Sequence, residues 1–205
     1  VPYSSRMTQI PDVLENRHVR LMPMTLDDAG GLMRAASDPS TFRYFIKPPN
    51  PWTDQGMREY CARLIEHPTT LPMTVRHAAS GEIIGSTTFC DLKPEHLGAE
   101  IGWTWYAPSV RGSAVNPACK ILLLEHAFEG GLFGKPAERV CLKTDARNVA
   151  SRAAILKLGA VYEGILRRLV VMPDGHMRDS PHYSIMPEEW PAVRDGLEAR
   201  LAAFV

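Results

Sequence analysis

Apolar and polar residues alternate through Val19–Met24 (VRLMPM), the two-residue period of a half-buried strand, and Pro23 puts its end at an edge or a bulge. Thr25 followed three residues later by Asp28 predicts a capped helix to about Ala36, weakened by Gly30 and Gly31. The stretch STFRYFIKPPNPW is aromatic and proline-rich and reads as an ordered loop, after which Thr53 caps a second helix ending near Glu66. LPMTVRHA and EIIGSTTFC are strand-like and meet at Ala79-Ser80-Gly81, a hairpin turn. AEIGWTWYA is a third strand, in which strict alternation sets Ile101, Trp103 and Trp105 on one face and Glu100, Thr104 and Tyr106 on the other.

Beyond this strand the period lengthens. Ile121, Leu124 and Phe128 recur at helical spacing, and Gly130-Gly131 ends that helix. ERVCLKT is a short strand, and NVASRAAILKLG is a helix expected to turn Val149, Ala153 and Leu156 inward and to stop at Gly159. VYEGILRRLVV and MRDSPHYSIM flank Pro173-Asp174-Gly175 and should pair as an antiparallel hairpin. A final helix carries Trp190, Val193, Leu197 and Leu201 on one face. Strands and helices come in clusters rather than strict alternation, which predicts an α+β fold with a sheet of mixed direction. With no repeat and no linker, residues 1–16 read as an N-terminal arm and residues 17–205 as one globular domain, long enough to bury a single core.

Charge narrows the function classes. The 23 basic and 23 acidic residues cancel and no like-charged run stands out, so neither a general nucleic-acid binder nor a polybasic membrane anchor is expected. The apolar run near Ile121–Leu124 is far short of a bilayer span, and the first residues lack the order of a secretory signal, so a soluble cytoplasmic protein is expected. Cys61, Cys90, Cys119 and Cys141 form no CxxC pair and read as buried reduced thiols, and the seven histidines supply no clustered ligand set, so no metal is expected.

The candidate chemistry lies between the third strand and the helix after it, in YAPSVRGSAVNPACKILLLEHAF. A helix begins with unpartnered N–H groups and the positive end of its dipole, so a strand-turn-helix junction is suited to an anion. Gly112 and Ser113 let the chain approach a bulky group, Asn116 can cap, and Pro117 suits the first helical position. Neither GxGxxG nor GxxxxGK[ST] is present.

In order and spacing, EIGWTWYAPSVRGSAVNPACKILLLEHAF, RVCLKTDARNVASRAAILKLGAVYEGILR and DGHMRDSPHYSIMPEEW resemble the GNAT superfamily of N-acetyltransferases, and within it the branch of ribosomal-protein N-terminal (Rim-type) acetyltransferases. The resemblance runs from about Val19 to Trp190. It implies a sheet of about seven strands, splayed at its centre and flanked by helices, with acetyl-CoA as co-substrate in the split. Its pyrophosphate would lie on Val110, Arg111, Gly112, Ser113, Ala114, Val115 and Asn116, and the rest of the cofactor near Trp103, Trp105, Asn148 and Ser151. The loop departs from the family pattern by carrying Ala114 and Asn116 where small flexible residues are usual, so a working loop requires Ala114 at negative φ.

Acetyl transfer to an amine needs a neutral amine, donors for the developing oxyanion, and a proton for the departing thiolate. The resemblance implies main-chain donors near Trp103 to Trp105. Glu100 is the first candidate base and Ser151 the first candidate acid, ahead of Tyr162. His126 and His182 read as structural. Tyr44, Phe45 and Trp52 are the candidate wall of a pocket for a primary amine, either a protein N-terminus or a small molecule, and Arg167, Arg168, Arg178 and Asp179 could engage a carboxylate or an acidic peptide. A CoA-binding module without turnover is the alternative. The apolar face of the last helix and exposed strand edges would suit a homodimer.

Overall fold

In the computed structural model, which describes residues 12–204, eight strands form one sheet in the order β1 (Leu14–Glu15), β2 (Val19–Pro23), β3 (Leu71–His77), β4 (Ile83–Lys93), β5 (Gly98–Tyr106), β6 (Arg139–Lys143), β8 (Met177–Ile185) and β7 (Val161–Val171). This is one strand more than the seven or so expected. The addition is Leu14–Glu15, which pairs antiparallel with β2, whereas residues 1–11 of the stretch read as an arm lie outside the described residues. Every neighbouring pair is antiparallel except β5 and β6.

That exception positions the site. β5 and β6 pair in parallel only at Gly98↔Arg139, Ala99↔Val140 and Glu100↔Cys141. β5 then continues to Tyr106 without a β6 partner, so the sheet opens into a V beyond Glu100. Main-chain groups along the inner edges of a V have no ladder to join, and a ligand or water must meet them.

Helices cover both faces. α1 (Ala29–Ala36) and α2 (Asp54–Glu66) enclose a core of Leu32, Phe42, Met57, Tyr60, Leu64 and Trp105. α3 (Val115–Phe128), α4 (Val149–Leu158) and α5 (Trp190–Ala202) share the larger core with Phe89, Ile101, Val140 and Tyr183. Thr25 and Asp28 enclose a short 3-10 turn, Leu26–Asp28, that leads into α1, and α2 starts as its cap residue predicts. Asp28 accepts from the Thr25 N–H at 2.9 Å, and also binds Thr74 and Arg76, while Thr53 Oγ1 accepts from the Gly56 N–H at 3.1 Å.

One expected face is reversed, and another is closed to a partner. In α4 Ile155 and Leu158 are buried, while Val149, Ala153 and Leu156 face outward, because the helix packs by its other apolar stripe against α5 and the larger core. The apolar face of α5 is occupied within the chain, with Trp190, Val193 and Leu197 at 6%, 5% and 1% exposure, and so does not provide a surface for a second copy. Exposed apolar side chains instead lie along the edge strand β7, at Ile165, Leu166, Leu169 and Val171. Among the described residues no helix is long and apolar enough to cross a membrane.

Candidate active site

A bulge in β5 sets the site's geometry. The register with β4 shifts between Ser86↔Trp105 and Thr88↔Gly102, and Trp103 takes φ 47°, the left-handed region that a bulky residue seldom enters. Alternation breaks there. Ile101 stays in the α3-side core, whereas Trp103 and Trp105 belong to the α1–α2 side, with the Trp105 ring 5.1 Å from that of Phe42. The expectation that Ile101, Trp103 and Trp105 share a face is therefore wrong. So is the companion grouping: Thr104 and Tyr106 turn to α3, meeting Lys120 and Asn116, while Glu100 faces the opposite side with Cys90 and Lys143.

Glu100 is 4% exposed, not the solvated strand-end carboxylate that its position in the sequence would also allow. Its Oε2 lies 2.6 Å from Lys143 Nζ on β6. Burial raises the Glu100 pKa, with Lys143 opposing, and the Lys143 pKa is also raised, because the carboxylate outweighs the penalty of burying the ammonium. Glu100 is enclosed whereas Lys143 is a third exposed, so burial wins at the carboxyl and the ion pair wins at the ammonium. No sequence signal singles out Lys143, since it becomes Glu100's partner only through the short parallel pairing of β5 with β6.

From the α3 side Lys120 reaches Thr104, with Nζ 3.5 Å from Oγ1, and Thr104 is itself 2.7 Å from Thr87 Oγ1. Burial pushes the Lys120 pKa down to about 8. A lysine lowered in the folded state costs stability wherever the unfolded chain is protonated, so that cost is fully present below pH about 8 and fades as pH rises toward about 10.4. Lys120→Met is expected to stabilise the protein by roughly 1–3 kcal/mol at pH 7. The gain should shrink between pH 8 and 10, and urea denaturation across that range checks both size and slope.

The loop from β5 to α3 is organised by its own side chains. Val110 and Arg111 N–H groups are tied to the carbonyls of Ala107 and Pro108, and Val115 N–H to Ser113 Oγ at 3.2 Å. Arg111 anchors the loop through Nε to the Tyr106 carbonyl and through its guanidinium to Thr41 Oγ1, both at 3.0 Å. Among the described residues the N–H groups of Gly112, Ser113, Ala114 and Asn116 have no partner, at the dipole's positive end. Gly112 takes φ 76° with open space where a side chain would begin. Ala114 has φ −62°, so its methyl imposes no strain. The loop thus meets the requirement that its departures from the family pattern create. Two details differ from expectation: Asn116 does not cap the helix but accepts from Tyr106 OH at 3.2 Å, and Pro117 is the third residue of α3, not the first.

Across the V, Asn148 caps α4 by accepting from the Ser151 N–H at 3.1 Å, and both side chains are half-buried. Tyr44 bridges the opening from the α1–α2 side, its hydroxyl donating to the Arg147 carbonyl at 3.4 Å and its ring beneath the Arg147 guanidinium at 5.9 Å. Phe45 and Trp52 instead pack on Phe42, with ring centroids 5.1 and 6.0 Å away, and are half-buried satellites of that core. Tyr162 is 47% exposed, 5.4 Å from Tyr183. His182 belongs to the row of polar residues on β8. Among the described residues no three potential metal ligands come together.

Known proteins share this chain's fold. Residues 18–161 match the acetyltransferase (GNAT) domain model. Among solved structures, a candidate acetyltransferase from T. thermophilus is 37% identical with a TM-score of 0.86, covering 95% of this chain and 100% of its own. RimJ of Mycobacterium smegmatis, solved with CoA-disulfide, is 25% identical, with a TM-score of 0.71 and coverage of 91% and 90%. The self-immunity acetyltransferase MccE for microcin C7, solved with acetyl-CoA and AMP, shares the fold at 18% identity, with a TM-score of 0.72 and coverage of 83% and 93%. No curated protein matches by sequence. With a family model spanning most of its length and a 37% identical structure that it overlays nearly end to end, this chain belongs to the GNAT acetyltransferases.

Proposed function

We propose that the chain moves an acetyl group from acetyl-CoA to a primary amine by direct attack of the amine on the thioester. The carrying observation is the set of four unpartnered N–H groups at Gly112, Ser113, Ala114 and Asn116 beside a sheet that opens beyond Glu100. When bound, acetyl-CoA supplies an acyl group already activated as a thioester. The loop amides hold its pyrophosphate, Val110, Arg111 and Val115 shape that loop, and Asn148 and Ser151 line the other wall of the V. Main-chain N–H groups of the bulged Trp103–Trp105 stretch donate to the charge that develops on the acyl oxygen. Glu100 takes the proton from the amine, and Ser151 relays one toward the departing thiolate. Tyr44 sits at the mouth through which the amine enters, with Phe45 and Trp52 supporting that loop from behind. Relatives solved with CoA-disulfide or acetyl-CoA support the choice of donor.

Thiol release from acetyl-CoA in the presence of amines and peptide N-termini, with mass spectrometry of the acceptor, tests this reading. A gain of one acetyl group on an amine is the expected result. CoA binding without transfer to any amine would replace it with a binding module. Gly112→Val tests the loop separately. A β-branched residue at φ 76° costs about 1–2 kcal/mol. Relaxing the loop to escape that cost turns the amides away, so KM for acetyl-CoA should rise about tenfold with kcat at saturation nearly unchanged.

A further inference from the structure

β8 carries an arginine whose surroundings do not account for it. Arg178, Ser180, His182 and Ser184 alternate along one face of the strand. Register links that face to the Glu100 side of the split, because His182 pairs with Lys143, Ser184 with Cys141, and Cys141 with Glu100. Arg178 is 6% exposed, yet its Nε has no hydrogen bond and its guanidinium forms no ion pair among the described residues. Ser180 Oγ and His182 Nε2 in the same row are likewise buried and unpartnered. Asp145 and Glu100 are close enough to act on Arg178 through their charge, but both are committed. Asp145 accepts from the Arg147 main-chain N–H and Nη2, each at 2.8 Å, and Glu100 holds Lys143.

A protein rarely encloses a guanidinium without partners, because the lost hydration is not returned. The fork of N–H donors matches a carboxylate. A phosphate dianion suits the place less, since Asp145 and Glu100 would repel its second charge. The Arg178 guanidinium and the candidate base lie on one face, so one molecule can reach both.

Resting on the transfer reading above, we infer that the acceptor is an amine that also carries a carboxylate, bound by Arg178 with Ser180 and His182 beside it while its amino group approaches Glu100. The carboxylate comes from a free amino acid or from a short peptide, and acceptor length distinguishes the two.

The test uses matched acceptors: α-amino acids, ω-amino acids of increasing chain length, and dipeptides with an acidic second residue, each beside its carboxamide. The wild type should favour the carboxylate member of at least one series by tenfold or more in kcat/KM. Arg178→Gln should lower that value about 10- to 100-fold, with the carboxamide changed less than threefold and the acetyl-CoA KM unmoved. Arg178→Lys, which keeps the charge but not the fork, should recover part of the loss. In the free protein Arg178→Gln should melt about 2–4 °C higher, because an unpaired buried charge is gone, whereas an arginine that serves the fold would give a lower melting temperature. Equal use of acid and amide, an equal loss for both in the variant, or a rise in acetyl-CoA KM would overturn the inference. Calorimetry of the same carboxylates with CoA present separates it from the transfer reading. Binding that Arg178→Gln abolishes, without acetylation, sinks the transfer reading alone; acetylation without carboxylate preference sinks this inference alone; neither binding nor transfer sinks both.

Discussion

Glu100→Gln should lower kcat/KM for the amine about 100- to 1000-fold, the range set by removing one positioned proton acceptor. Glutamine keeps the size and can still hydrogen-bond Lys143, so the fold should persist and acetyl-CoA binding stay close to wild type. The pH profile tests the role more sharply than the rate. A base must be deprotonated, and burial raises the Glu100 pKa, so wild-type kcat/KM should fall on the acid side through a limb above the ordinary carboxylate range. In the variant that limb should vanish. A variant within threefold of wild type, with the limb intact, would mean that the amine arrives neutral and that water suffices as acceptor.

The second large effect is expected at Lys143. Removing one partner of a buried ion pair leaves the other charged and enclosed, at a cost of about 3–5 kcal/mol when both are fully buried. Lys143 is a third exposed, so Lys143→Met should destabilise the protein by roughly 2–3 kcal/mol at pH 7. The sign of the pH dependence follows from the group left behind. Without Lys143 the folded-state pKa of Glu100 rises further above its unfolded value, so its contribution is intact below the unfolded pKa and is lost as pH rises through the folded one. The deficit should be largest near pH 8 and small near pH 4. Adding Glu100→Gln should restore part of the stability at pH 7. Urea titrations of the two single variants and the double variant measure the coupling directly, and additive losses would show that the contact carries no energy.

Much of the architecture was legible from local pattern. Thr25 with Asp28 and Thr53 announced helix starts, Ala79-Ser80-Gly81 and Pro173-Asp174-Gly175 announced hairpins, and each turn is where the residue types require it. These signals are local, because caps and turns satisfy backbone groups within three or four residues. Gly112 was equally readable, since no other residue adopts its φ at so little cost.

What failed had distant causes. The bulge at Trp103 defeats alternation in β5, and nothing in GWTWY announces it. Helix α4 has apolar residues on more than one stripe, and only the position of α5 decides that Ile155 and Leu158 go in and Val149 and Leu156 stay out. Arg178 was readable as a charge that could engage a carboxylate, but not as a buried one, and Lys143 looked like an ordinary strand charge. Lys143 meets Glu100 and His182 about 40 positions away in the chain, which a single segment does not contain.

The sequence by itself determined most of the helices, strands and turns, the class of fold, and the turn at Gly112 that leads into α3, because each depends on residues a few positions apart. The tertiary structure alone decided which side of β5 Glu100 occupies, that Lys143 neutralises it, and that Arg178 is enclosed without a partner. Those outcomes depend on strand register and on the opening between β5 and β6, and register emerges only when separate parts of the chain pack together.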